Sequence, residues 1–311
     1  MTVDLMGKRL WYFAFSGLII TVGIVMLVIF GLRLSIDFTG GTKLELQLPT
    51  ASDLSTSGVG EVLTAQGIEG SIVQLSDNNI VIIRTRELDE ATQTAVRAAL
   101  AARYESEVVV LRAESVGPSV STQVGWRAMQ AVGIASLGIL GYIWFAFRGV
   151  SNPLRYGVAA LVAMLHDVLV VLAFAAIAGQ VFGWEVDALF LTAVLTVIGY
   201  SVHDTIVVFD RVRENRLIYR RADFDKVVNH SIMQTLDRSI NTQLSTAFTL
   251  LALALFGGDT IRPFVVVLLV GVLSGTYSSL FTAAPLLIVW ETGEWRTWFG
   301  GKKPATSASS V

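Results

Sequence analysis

No cysteine occurs among the 311 residues, which excludes a disulfide framework and any thiolate metal site. Charge is sparse as well: 15% of residues are Asp, Glu, Lys or Arg against 53% hydrophobic. The apolar residues fall in long runs rather than in the periodicities of a soluble protein, so the composition is that of an integral membrane protein. An excess of basic charge is also missing. The formal net charge is -2, and Lys and Arg gather beside the apolar runs instead of along one extended face, which argues against a nucleic-acid partner. No internal repeat is visible. If the architecture is symmetric, its second half must lie on another polypeptide.

Six apolar runs are each near or above the roughly 20 residues that cross a bilayer. They fall at about 10–32, 124–147, 154–178, 188–209, 240–256 and 263–290. Lys8 and Arg9 before the first run imitate a signal peptide, but the run is too long and lacks a small-residue cleavage pattern, so it reads as an uncleaved span. Six spans put both termini on one side. On that side lie Lys8, Arg9, Arg148, Arg155, the basic residues between Arg211 and Lys226, and Arg296, Lys302 and Lys303, whereas the short loops opposite hold only Arg262. By the positive-inside rule the termini are cytoplasmic.

Residues 35–123 are polar enough for a separate extracytoplasmic domain. Lys43 to Leu48 alternates apolar and polar residues, Gly60 to Gln66 is helical, and Ser71 to Ser76 and Asn79 to Arg84 are β-rich runs around Asp77-Asn78. Asp89 can cap a helix running to about Arg103, before a last strand at Glu107 to Ala113. The order βαββαβ is that of a ferredoxin-like split βαβ unit, which by itself indicates no activity. The expected fold is an all-α six-helix membrane bundle with an inserted α+β ferredoxin-like domain. The divisions are 1–34, 35–123, 124–293 and a tail at 294–311. A charged cytoplasmic connection near 211–237 reads as an amphipathic helix, and the small polar tail reads as disordered.

A few polar residues lie inside the apolar runs. Asp204 is the foremost: a carboxylate in hydrocarbon needs a partner or water, so it belongs either to an ion or proton path or to an interhelical hydrogen bond. Thr192, Thr196, Tyr200 and Asp204 recur in steps of four and should form one polar band along span four. Span five opens with Arg238, Asn241, Thr242, Gln243, Ser245, Thr246 and Thr249, too polar for a lipid-facing helix. Arg238 reads as an anchor that snorkels or as a partner for Asp204, which lies seven residues inside Arg211, roughly 10 Å along a helix. His166-Asp167 in span three is echoed by His203-Asp204. A metal site or a two-carboxylate protease fits poorly, because adjacent helical residues point about 100° apart. A water-bridged proton relay fits better. Gly271 and Gly275 form a GxxxG packing face in the last span, where Pro285 can also place a kink.

Together these stretches resemble the SecD/SecF family of the bacterial Sec protein-export machinery, on the SecF side. The resemblance rests on Asp37-Phe38-Thr39-Gly40-Gly41, His166-Asp167, GYSVHDTIVVFDRVREN at 199–215, TLDRSINTQLST at 235–246 and GVLSGTYSSLFTAAPLL at 271–287. It runs from the first span to the last. It implies membership of the resistance-nodulation-division superfamily, with SecD supplying the other half of a twelve-span complex in the bacterial inner membrane. It further implies use of the proton-motive force to help move preproteins through SecYEG. The family's span-four carboxylate falls on Asp204 and its span-five arginine on Arg238. His203 stands where Asn is frequent, and Asp237 where a small polar residue is usual.

The leading expectation is therefore an energy-coupled export subunit, non-enzymatic and without a cofactor or metal, in which Asp204 exchanges a proton and alternately pairs with Arg238. A passive scaffold for SecD and the channel would not need intramembrane charges. A small-molecule exporter would need more room than one small outer domain offers.

Overall fold

The computed structural model describes residues 4–76, 78–150, 152–258 and 260–298. Asp77 and the tail from 299 on lie outside the described residues. Contacts divide the chain into two units, one from residues up to Arg33 and from Ala131 onward, the other Leu34–Gln130.

Among the described residues six helices are long and apolar enough to cross a bilayer. The first, α1 (Arg9–Phe30), has 22 residues and so spans roughly 33 Å, close to a hydrocarbon core. It ends at Gly31, whose φ of 67° closes the helix where a side chain would be strained. The next of these helices are α5 (Pro118–Ala146), which begins within the second unit, α6 (Pro153–Val181), α7 (Ala188–Ile218) and α8 (Phe224–Phe256). Pro153 starts α6, where the missing amide costs nothing, and the Asp187 carboxylate accepts from the Phe190 amide at 2.7 Å to cap α7. The last span is α9 (Arg262–Ser278), a π-helical turn at Ser279–Ala283, and α10 (Ala284–Thr292), with the short α11 (Trp295–Trp298) behind it. Arg9 pairs with Glu294, and Arg155 with Glu291 at 2.6 Å, fixing α1 and α6 to the end of that span.

Two expectations for this unit need correction. No separate amphipathic helix lies between spans four and five. Instead α7 runs on to Ile218 and α8 begins at Phe224, giving a hairpin of helices of 31 and 33 residues that overshoot a hydrocarbon core. The charges extend the helix because they pair along one face, Arg211 with Glu214 and Arg213 with Asp210, each at 2.7 Å. Asn215 then donates to Ser231 and Gln234, each at 2.8 Å, to close the hairpin. In the last span the irregularity precedes Pro285 rather than sitting on it. Proline has no amide for the preceding turn, and the π-helical segment ending at Ala283 absorbs the mismatch.

The second unit opens on a single helical turn, α2 (Ile36–Thr39), then β1 (Gly41–Gln47), α3 (Thr56–Ala65), β2 (Ile72–Ser76), β3 (Ile80–Thr85), α4 (Glu90–Tyr104) and β4 (Val109–Val116). The four strands form one antiparallel sheet in the order β2-β3-β1-β4. Period-two alternation puts Leu44 and Leu46 of β1 beside Ile83 and Val81 of β3. These join Val59 and Leu63 of α3 and Val96 and Leu100 of α4 in one buried core. Ser55 and Asp89 cap α3 and α4.

Candidate functional site

Among the described residues the bundle holds two buried carboxylates, and different residues surround each. Asp204 on α7 is 4% exposed. Its Oδ1 accepts from Ser239 Oγ at 3.2 Å and its Oδ2 from Gln243 Nε2 at 3.3 Å, both on α8. The Gln243 carbonyl oxygen is buried beside it with no hydrogen-bond partner among the described residues.

Arg238 does not pair with Asp204 in this conformation; its side chain is exposed. The reason is helical phase. Ser239 and Gln243 are four apart and share the face of α8 turned to α7, whereas Arg238 precedes Ser239 by one residue and so points about 100° away.

Phase also divides the expected band on α7. Steps of four advance about 40° each, so three steps turn the row by about 120°. Thr192, Thr196 and Tyr200 are exposed on the bundle while Asp204 is buried, and His203 is exposed as well. On α8, Asn241, Thr242 and Ser245 are likewise exposed. Most of these hydroxyls are satisfied by their own helix: Thr196 donates to Thr192 O at 2.8 Å, Thr242 to Arg238 O at 2.9 Å and Ser245 to Asn241 O at 2.8 Å.

Asp167 on α6 is fully buried. Ser201 Oγ of α7 and Ser278 Oγ of α9 each donate to its Oδ2 at 2.6 Å, and Ser274 Oγ of α9 donates to Oδ1 at 2.6 Å. His166 Nδ1 lies 3.1 Å from the same Oδ1. Beside this cluster Gly271 and Gly275 bring α9 against α7: a Cβ at Gly271 would overlap the Val197 side chain, and one at Gly275 would come within 3.3 Å of the Ser201 Cα. Among the described residues no group of three or more His, Asp or Glu is placed to hold a metal.

The motif after α1 is a chain reversal within the second unit. Ser35 Oγ accepts from the Asp37 amide at 3.2 Å and Thr39 Oγ1 donates to Ser35 O at 3.1 Å, closing the turn that contains Phe38. Gly40 at φ 74° and Gly41 at φ 119° then lead into β1, and a Cβ at Gly41 would strike the Thr85 carbonyl. Both glycines are therefore required by backbone geometry.

Sequence reasoning located both carboxylates but not their partners. Ser239 carries no signal in a helix already rich in polar residues. Ser274 and Ser278 stand among the small residues of the last span, and each supplies a hydroxyl to Asp167.

Six helices long and apolar enough to cross a bilayer among the described residues, two carboxylates buried among them and a small sheet unit after the first helix define a polytopic membrane protein. The family model described as protein export membrane protein SecD/SecF, C-terminal, matches residues 96–293, and the SecD/SecF GG motif matches residues 25–48. The chain is 50% identical to the protein translocase subunit SecF of Anaerolinea thermophila, over 98% of this chain and 100% of that one. It is 36% identical to SecDF of Bacillus subtilis, over 94% of this chain but 38% of that one. The crystal structure of SecDF from Thermus thermophilus superposes with a TM-score of 0.79 at 29% identity, covering 94% of this chain and 39% of that chain. The chain thus spans well under half of the solved SecDF. It belongs to the SecD/SecF protein-export family, among the SecF translocase subunits.

Proposed function

We propose that this chain is the SecF half of a SecD-SecF pair in the bacterial inner membrane, and that it couples proton movement to late-stage preprotein passage through SecYEG. It does so without catalysing covalent chemistry. Both termini are cytoplasmic in this reading, as the Lys and Arg asymmetry argues. The second unit lies outside and is ferredoxin-like, a description supported by its βαββαβ order and the strand order β2-β3-β1-β4.

The observation that carries the proposal is the setting of Asp204: a buried intramembrane carboxylate whose hydrogen bonds, among the described residues, come from two neutral donors on one neighbouring helix. Such a contact suits the protonated or neutralised member of a cycle. When the proton leaves, the carboxylate needs a stronger partner, and Arg238 stands one residue from Ser239 on the same helix. A turn of α8, together with the reach of the guanidinium, exchanges one for the other. His203, beside Asp204 and exposed, is placed to hand protons in from outside the bundle. Protonation can drive such a change only if the two conformations differ in proton affinity, at about 1.4 kcal/mol for each pKa unit of difference.

The test is Asp204→Asn, which keeps volume and hydrogen bonding but cannot ionise. Export into membrane vesicles is measured with and without an imposed proton gradient. The gradient-dependent increment is expected to vanish while the ATP-driven stage and assembly with SecD persist. An increment of undiminished size in this variant would overturn the proposal.

A further inference from the structure

We infer that Asp167 is a positioning residue: it fastens α6, α7 and α9 into one body and thereby places Asp204, rather than carrying a second proton. This rests on the role proposed above for Asp204 and adds the division of labour between the two carboxylates.

The contacts argue for a brace. Three hydroxyls at 2.6 Å and the His166 ring nitrogen meet the carboxylate, all four from groups that can donate, so both oxygens are occupied as a carboxylate's would be. The donors come from three helices. Ser201 lies one turn before Asp204 on α7, so the bond from Ser201 to Asp167 sets the height and rotation at which Asp204 faces α8. Neighbouring contacts repeat the same linkage: Thr205 Oγ1 and Ser279 Oγ are 2.8 Å apart, Ser279 Oγ donates to Ser201 O at 3.2 Å, and Gly271 seats Val197.

The same geometry argues against a relay. His166 Nε2 is buried with no hydrogen-bond partner among the described residues, so a proton on the imidazole has no onward acceptor. No hydrogen bond among the described residues joins the Asp167 cluster to Asp204, whose partners are on α8. Among the described residues the titratable group in contact with Asp167 is His166 on its own helix, and the Tyr277 ring of α9 lies 6.0 Å from that imidazole. From α7 come only hydroxyls. Tyr277 itself donates to Tyr12 O of α1 at 3.1 Å and leads away from α8. The change of partner at Asp204 therefore takes place between α8 and a fixed α6-α7-α9 body.

Two measurements on the whole chain, assembled with SecD and SecYEG, test this. In Asp167→Asn the amide keeps an acceptor for Ser274, while Ser278 can turn its hydroxyl to Gly275 O, already 3.2 Å away. The gradient-dependent increment should stay within about twofold of the parent, with an unchanged pH profile, because the amide can replace a brace but not a proton carrier. Loss of the increment as complete as in Asp204→Asn, at normal accumulation, would overturn the inference. The second measurement does not depend on how that variant folds. Thr205→Cys with Ser279→Cys, whose hydroxyl oxygens are 2.8 Å apart, in a chain that has no other cysteine, forms a disulfide between α7 and the last span. Oxidised and reduced forms should show the same gradient-dependent increment. An increment lost on oxidation and restored on reduction would show that α7 and the last span move apart, and would sink the rigid-body assignment. Failure of the proton-coupling proposal is distinguishable, since the parent would then show no increment at all.

Discussion

Gly271→Ala tests the close approach on which the α7-α9 pairing depends. The added methyl would overlap one branch of Val197, with its other branch at 2.8 Å and its Cβ at 3.0 Å. Val197 is 1% exposed and lies on the rigid middle of α7, so its side chain has nowhere to turn. The helices must separate instead. Overpacking of this kind costs about 1–3 kcal/mol, which at the upper end is a change of roughly a hundredfold in the folded ratio. In a bilayer the cost is felt as lost dispersion between helices, since lipid is as apolar as the side chains it would replace. Val197→Ala alone forfeits the methyl contacts and should cost about 1 kcal/mol. The pair together should recover most of the loss, because the methyl added at 271 enters the space vacated at 197. Thermal unfolding of the purified chain in detergent gives the four stabilities needed for a double-mutant cycle. A coupling of opposite sign to the single losses, about 1 kcal/mol or more, is expected. Strict additivity, or a Gly271→Ala protein as stable as the parent, would refute the close approach.

Other expectations follow from different parts of the chain. Arg238→Lys keeps the charge but loses the planar fork that can hold a carboxylate bidentately, so the gradient-dependent increment should drop while ATP-driven export is spared; an unchanged increment would return Arg238 to the role of an anchor. Leu44→Ala removes a fully buried core side chain of the sheet unit and should cost about 2–5 kcal/mol, read as a lower transition midpoint in a fragment covering residues 34–117. The Thr92 hydroxyl and then its amide hold the Asp89 carboxyl below its ordinary 3.8. With a folded value below the unfolded one, the stabilisation is complete above about pH 4 and is lost as pH falls through the folded value, so Asp89→Ala should flatten the acid limb of that fragment's unfolding curve. Cysteines placed at Glu61 and Arg220 should react with an impermeant reagent from opposite faces of intact cells; labelling of both from one face would contradict the orientation.

The spans were readable because hydrocarbon tolerates only long apolar helices, and the strands at 41–47 and 80–85 because one buried face enforces alternation. Helix ends were less readable. The start of α3 at Thr56 was hidden by Gly58 and Gly60, residues of low helix propensity held in place by the Ser55 cap and by tertiary packing. Charge in the hairpin suggested a break in span four, yet charges spaced three apart stabilise a helix that has left the membrane. Inside the bundle, a lone Asp in an apolar run is conspicuous, but its partners depend on the rotation of the neighbouring helix. A shift of one residue in that rotation separates Arg238 from Ser239, and composition cannot fix it. The π-helical turn leaves no mark except the proline that follows it.

The exposed polar face of α7 and α8 divides by the same reasoning. A threonine that returns its hydroxyl to its own helix, as Thr192, Thr196, Thr242 and Thr246 do, presents little unmet polarity and can lie against lipid or protein at small cost. The side chains of His203, Arg238 and Asn241 make no such bond among the described residues, and each has donors to place. They flank Asp204 on both helices, within about two turns. A surface that collects its unmet donors around a buried carboxylate is costly in lipid and sensible against another polypeptide or water. If SecD covers this face, the specific contact should therefore centre on His203, Arg238 and Asn241, with the threonines acting as packing around it.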